Sequence, residues 1–120
     1  MHLKTVLAAL AAAPSLTSAT MLYAASYAGT VSTLDLQISG DTASLEQVGE
    51  TDGCAGSPSW LELAGDGVVY CSDEGLTKAT GSMSAFVRGT KGLELVGKVD
   101  TVQGPVSSVR FGDGGLAVAH

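Results

Sequence analysis

The stretch Ser57–Gly75, "SPSWLELAGDGVVYCSDEG", decides the fold. Its centre, Gly65-Asp66-Gly67, reads as a phosphate-cradling loop, an active-site turn or a hairpin, and the flanks choose among the three. "SWLELA" alternates apolar and polar residues at period two, and "VVYCS" is β-branched and aromatic. Asp-Gly between two such runs predicts a type I′ hairpin, whose two central residues take positive φ. The stretch is therefore two strands around a turn.

The same pattern runs through the rest of the chain. No segment after residue 20 holds a 3.6-residue period for three turns. "TVSTLDLQI" puts Val31, Thr33, Asp35 and Gln37 on one face and Ser32, Leu34, Leu36 and Ile38 on the other. Strands are expected at Met21–Ala25, Thr30–Ile38, Ser44–Gly49, Ser59–Ala64, Val68–Ser72, Ser82–Arg88, Leu93–Val99, Val106–Phe111 and Leu116–His120. The fold class is all-β. Asp113-Gly114 predicts a second hairpin of the Asp66-Gly67 kind.

The two hairpins superpose at an offset of 47, Pro58 on Pro105, Gly65 on Gly112, Asp66 on Asp113, Gly67 on Gly114 and Asp73 on His120. "LEQVGE" (45–50) matches "LELVGK" (93–98) at 48. A period near 47 holding about four short strands is the size of one β-propeller blade. The pattern predicts a partial blade at 20–56, a full blade at 57–103 and a partial blade at 104–120. About two blades cannot close a ring, and open blades expose strand edges. The expectation is the N-terminal part of a longer protein, with closure by several copies as the alternative.

The first residues read as an address label. "MHLKTVLAALAAAPSLTSAT" has a basic start at Lys4, an apolar run from Val6 to Ala13 and small residues at Thr17 and Ala19, which predicts a signal peptide over 1–19 and secretion. The run is far shorter than the roughly 20 apolar residues of a membrane span. Without 1–19, five lysines and arginines face twelve acids, a formal charge of −7. None of the five is adjacent to another, so neither nucleic acid nor an anionic membrane is an expected partner. Cys54 and Cys71 leave two readings open, one disulfide in an oxidising compartment or two buried thiols. The chain has no asparagine and hence no N-glycosylation acceptor.

"MLYAASYAGTVSTLDL", "CAGSPSWLELAGDGVVYCSDEG", "GSMSAFV" and "QGPVSSVRFGDGGLAVAH" together resemble the N-terminal blades of the lactonase-type seven-bladed propellers. That family includes 6-phosphogluconolactonase-like proteins and carboxy-cis,cis-muconate cyclases. The resemblance spans residues 21–120. It implies a ring of seven blades, the first completed by a C-terminal strand. It also implies a monomer with a channel pocket for a small lactone or carboxylate, and lactone hydrolysis or muconate cyclisation. The His, Glu and Arg that do this chemistry in cyclase-type members match no position here, so no catalytic residue is assigned.

The remaining motifs are weighed singly. "GDGGLA" (112–117) fits a loose dinucleotide fingerprint but is followed by a strand pattern where that fingerprint needs a helix, and no cofactor is expected. Two cysteines with His2 and His120 make no four-ligand metal set. Asp73, Glu74 and His120 fall at strand exits of successive units, where they would either position substrate at the channel rim or stand as solvated loop residues. Trp60 would either stack on a ligand or wedge between blades. Ser57 and Ser59 lack a nucleophile elbow. A two-residue hairpin sets Cys71 roughly opposite Trp60, with Cys54 in the loop before Pro58.

Overall fold

The computed structural model describes residues 17–120, all strand, turn and loop. Residues 1–16, most of the segment read as a leader, lie outside the described residues. The strands are β1 (Thr17–Ser26), β2 (Thr30–Ser39), β3 (Thr42–Thr51), β4 (Pro58–Leu63), β5 (Val69–Asp73), β6 (Thr80–Gly89), β7 (Gly92–Val102), β8 (Ser107–Phe111) and β9 (Gly115–Ala119). They form three antiparallel meanders, ordered β1-β2-β3, β4-β5-β6-β7 and β8-β9. Each expected strand is present. Several run longer, and β1 takes in Thr17–Ala19, which pair with Ser39, Ile38 and Gln37.

The repeat is structural as well as sequential. In the first sheet Thr33 pairs with Gly49 and Leu34 with Gln47, leaving Val48 as a bulged extra residue. In the second sheet Ala85 pairs with Gly97 and Phe86 with Leu95, leaving Val96. The bulge therefore recurs one residue before the shared glycine. The sheets pack side by side, β4 touching both β1 and β8, and β3 touching β7.

Both hairpin turns differ from the type I′ expectation. Gly67 has φ +84°, but Asp66 does not take positive φ. The Gly67 amide donates to the Ala64 carbonyl and the Ala64 amide to the Val68 carbonyl. This is a three-residue loop, a type I turn closed by a left-handed glycine. Gly65 makes the difference by joining the turn, while Asp66 Oδ1 accepts from the Val68 amide at 3.1 Å. In the second hairpin Gly112 and Gly114 are left-handed and Asp113 is not.

The longer loop resets the register. Cys71 pairs with Leu61, and Trp60 pairs with Ser72. Because cross-strand partners share a face, Cys71 joins Leu61 on the core side and Trp60 turns toward the third sheet. The core lies between the first two sheets, where Val31, Cys54, Val69, Cys71, Phe86 and Leu93 are buried and Tyr23, Ala25 and Leu61 pack on them. On β2 it is Val31 and Thr33 that face this core, while Ile38, on the opposite face with Leu34 and Leu36, is exposed.

Candidate functional site

The candidate site is the end of the sheets where β4 begins and β5 ends. Cys54, in the β3–β4 loop, is joined by a disulfide to Cys71 with the Cα atoms 5.9 Å apart, and both residues are fully buried. The bond fastens the loop to the second strand of the blade. Two more bonds hold the same loop, as Lys98 Nζ donates to the Gly53 carbonyl at 2.9 Å and Ser84 Oγ donates to it at 3.3 Å.

Asp73 closes β5 and is 2% exposed. Its Oδ1 accepts from the Ser57 amide at 2.8 Å and the Gly75 amide at 3.3 Å, and its Oδ2 accepts from Ser82 Oγ at 3.3 Å. The three donors belong to the β3–β4 loop, the β5–β6 turn and β6. A carboxylate buried with its lone pairs so engaged acts as a brace. Asp73 is thus neither open to a ligand nor a solvated loop residue.

Glu74 is half-buried in the turn after β5. Its amide donates to the Ser57 carbonyl, and its carbonyl accepts from the Gly104 amide. Its Oε1 accepts the Tyr27 hydroxyl proton at 2.6 Å. That hydrogen bond holds the Tyr27 phenol above its ordinary 10.0, because ionising the tyrosine would break the bond and set two anions together. His120 is exposed just beyond the end of β9. The structure therefore joins Glu74 to Tyr27, and places Asp73 beneath them as support.

Tyr27 was missed from the sequence, although the signal was present. It lies 47 residues before Glu74, in the equivalent strand-exit turn of the preceding sheet. Trp60 is 41% exposed and donates its Nε1 proton to the Ser108 carbonyl at 3.2 Å, bridging the second and third sheets. Ser59 Oγ makes a parallel link to the Pro105 carbonyl at 3.3 Å. At the opposite end Arg110 pairs with Asp66 at 3.2 Å, joining the first hairpin to β8. Among the described residues no group of three or more His, Cys, Asp and Glu is placed to hold a metal ion. Among them, too, no helix is long and apolar enough to cross a membrane.

Antiparallel meanders of two, three and four strands, repeating every 47 or 48 residues and packed side by side, follow the plan of β-propeller blades. The family model described as "Lactonase, 7-bladed beta-propeller" matches residues 18–120. The chain belongs to this lactonase family of seven-bladed β-propellers. No curated protein and no solved structure matches it.

Proposed function

We propose that this chain forms part of a secreted, lactonase-like propeller whose complete ring acts on a small lactone by hydrolysis or on a muconate by cyclisation. The family match over residues 18–120 carries the proposal. The Cys54–Cys71 disulfide supports secretion, since such bonds persist in oxidising compartments. Glu74 and His120, with Tyr27 beside Glu74, are the rim groups proposed to meet a carboxylate or lactone substrate. Asp73 is a positioning residue that holds the Glu74 turn. The described residues form three sheets against the seven blades of the family, so the acid/base groups are proposed to lie on other blades and the 120-residue chain alone is proposed to be inactive.

A second reading, a non-catalytic binding propeller, is favoured by one observation. Among the described residues, the carboxylates of Asp73 and Glu74 are both engaged by internal donors. Lactone hydrolysis and muconate cyclisation assays on the complete secreted propeller separate the two. Turnover that falls on Glu74→Gln while thermal stability is kept supports the enzyme. No turnover on either substrate class, with saturable binding of a lactone or carboxylate, supports the binding module.

A further inference from the structure

The β3–β4 loop holds one strained residue. Ala55 has φ +92° and is, among the described residues, the one non-glycine with positive φ. An L-residue there brings its Cβ too close to a backbone carbonyl oxygen, a cost that glycine escapes. The chain on both sides is pinned. Cys54 is drawn into the core by its bond to Cys71, and the Ser57 amide is held by Asp73 Oδ1 at 2.8 Å, so the turn between them is made on Ala55. Gly56 is exposed, and a Cβ on it would meet nothing within 4 Å, so the turn has room to lift.

The same loop stands between the two turns that the Tyr27–Glu74 hydrogen bond joins. On one side is the turn that carries Tyr27, where a Cβ on Gly29 would touch the Ala55 carbonyl oxygen and Gly56 at 3.8 Å. On the other side the Ser57 carbonyl accepts from the Glu74 amide at 3.0 Å. A movement of the loop is therefore felt by both partners of that bond. What holds the strained turn down is the Cys54–Cys71 disulfide together with the Ser57–Asp73 contact.

We propose that the Cys54–Cys71 bond is a thiol-sensitive switch that sets the Tyr27–Glu74 pair, and that a dithiol reductant operates it. One thiolate of the dithiol attacks a cysteine sulfur, forming a mixed disulfide and releasing the other cysteine, and its second thiolate then displaces the first cysteine. The dithiol leaves as a disulfide, oxidised by two electrons, and its two protons end on the Cys54 and Cys71 sulfurs. The freed loop lifts, Ala55 returns to negative φ, and Ser57 leaves Asp73 and the Glu74 amide, so that Glu74 parts from Tyr27. Both cysteines are fully buried, so the reductant meets them as the loop begins to lift, a movement the strain at Ala55 favours. The switch acts on the site of the proposed function, but its test reads sulfur, backbone and phenol rather than turnover and is decided apart from the lactone reading.

The chain is equilibrated with mixtures of reduced and oxidised dithiothreitol, its free thiols are counted by alkylation and mass spectrometry, and amide hydrogen exchange is compared between the two forms. Reduction should speed exchange about tenfold or more at 52–57 and 74–79 and leave β6 and β7 unchanged. Ala55→Gly, which removes the strain, should make the bond about fivefold harder to reduce. Gly56→Ala, in the same loop but with no positive φ and with free space for its Cβ, should not change the equilibrium. Circular dichroism checks that both variants keep the fold. Cys54→Ser with Cys71→Ser stands in for the reduced form, and its Tyr27 phenol, followed by ultraviolet absorbance against Tyr27→Phe, should titrate lower than in the parent, toward 10.0. Equal reduction equilibria in the parent and Ala55→Gly, or an unmoved Tyr27 titration, overturn the proposal. Exchange that rises throughout β6 and β7, or in neither loop, overturns it as well.

Discussion

Replacing Asp73 tests whether a buried carboxylate organises the loops at the end of β5. In Asp73→Ala the Ser57 and Gly75 amides and the Ser82 hydroxyl lose their acceptor. The hydroxyl can rotate to another partner, but the two amides are fixed by the backbone. Each buried donor left unsatisfied costs about 1–3 kcal/mol, so the loss should be about 2–6 kcal/mol. Against a total stability of roughly 5–15 kcal/mol this is a large fraction. Asp73→Asn keeps an oxygen for the two amides and turns an NH2 toward Ser82 Oγ, which can accept. It gives up charge assistance alone and should cost about 1 kcal/mol. Urea unfolding of the two variants and the parent, followed by Trp60 fluorescence, measures both. Equal losses in the two variants, or a loss below about 1 kcal/mol in Asp73→Ala, would refute the brace.

Four further outcomes follow from the geometry. Cys54→Ser with Cys71→Ser opens a loop closed across a sequence separation of 17 and should cost about 3 kcal/mol in the chain-entropy account, read as a lower urea midpoint that reductant no longer changes. Gly49→Ala forces the β6–β7 turn to shift and should cost about 1–3 kcal/mol, while Gly97→Ala should stay within about 0.5 kcal/mol of the parent. The Val68 amide first, and the Arg110 guanidinium after it, hold the Asp66 carboxyl below its ordinary 3.8. The resulting stabilisation is complete above that value and fades as pH falls through the lowered one, so Asp66→Asn should be less stable than the parent near neutral pH and equal to it in strong acid. Tyr27 has the opposite sign: its raised pKa gives stabilisation that is present below 10.0 and lost as pH rises through the higher folded value, so the gap between parent and Tyr27→Phe should close in strong alkali.

Much of this architecture was legible because strand patterns and repeats are local properties. Pro58 over Pro105 and Gly49 under Gly97 place nine strands and the blade unit without tertiary information. The turn was read one residue short. Asp-Gly favours a two-residue hairpin, and the competing three-residue loop depends on Gly65 entering the turn. A two-residue Asp66-Gly67 loop pairs Gly65 with Val68 and hence Cys71 with Glu62, whereas with Gly65 in the turn Cys71 pairs with Leu61, and that one-residue step decides which face carries the disulfide. On β2, period two named both faces but not which one is covered. The leucine-rich face with Leu34 and Leu36 invites assignment to the core, yet Val31 and Thr33 meet the second sheet.

The candidate site shows the same division between local and tertiary information. Asp73, Glu74 and His120 look alike in sequence, as polar residues at strand exits. Packing separates them, because Asp73 stands where the β3–β4 loop, the β5–β6 turn and β6 converge with amides needing an acceptor. One residue later the chain has left the sheet, and the Glu74 side chain reaches across to the preceding repeat, where Tyr27 waits at the same position in its own turn. The brace and the residue that meets Tyr27 are thus adjacent in sequence. The carboxylate that fixes the turn sets where the next side chain points, and any ligand meeting Glu74 does so on a backbone held by Asp73.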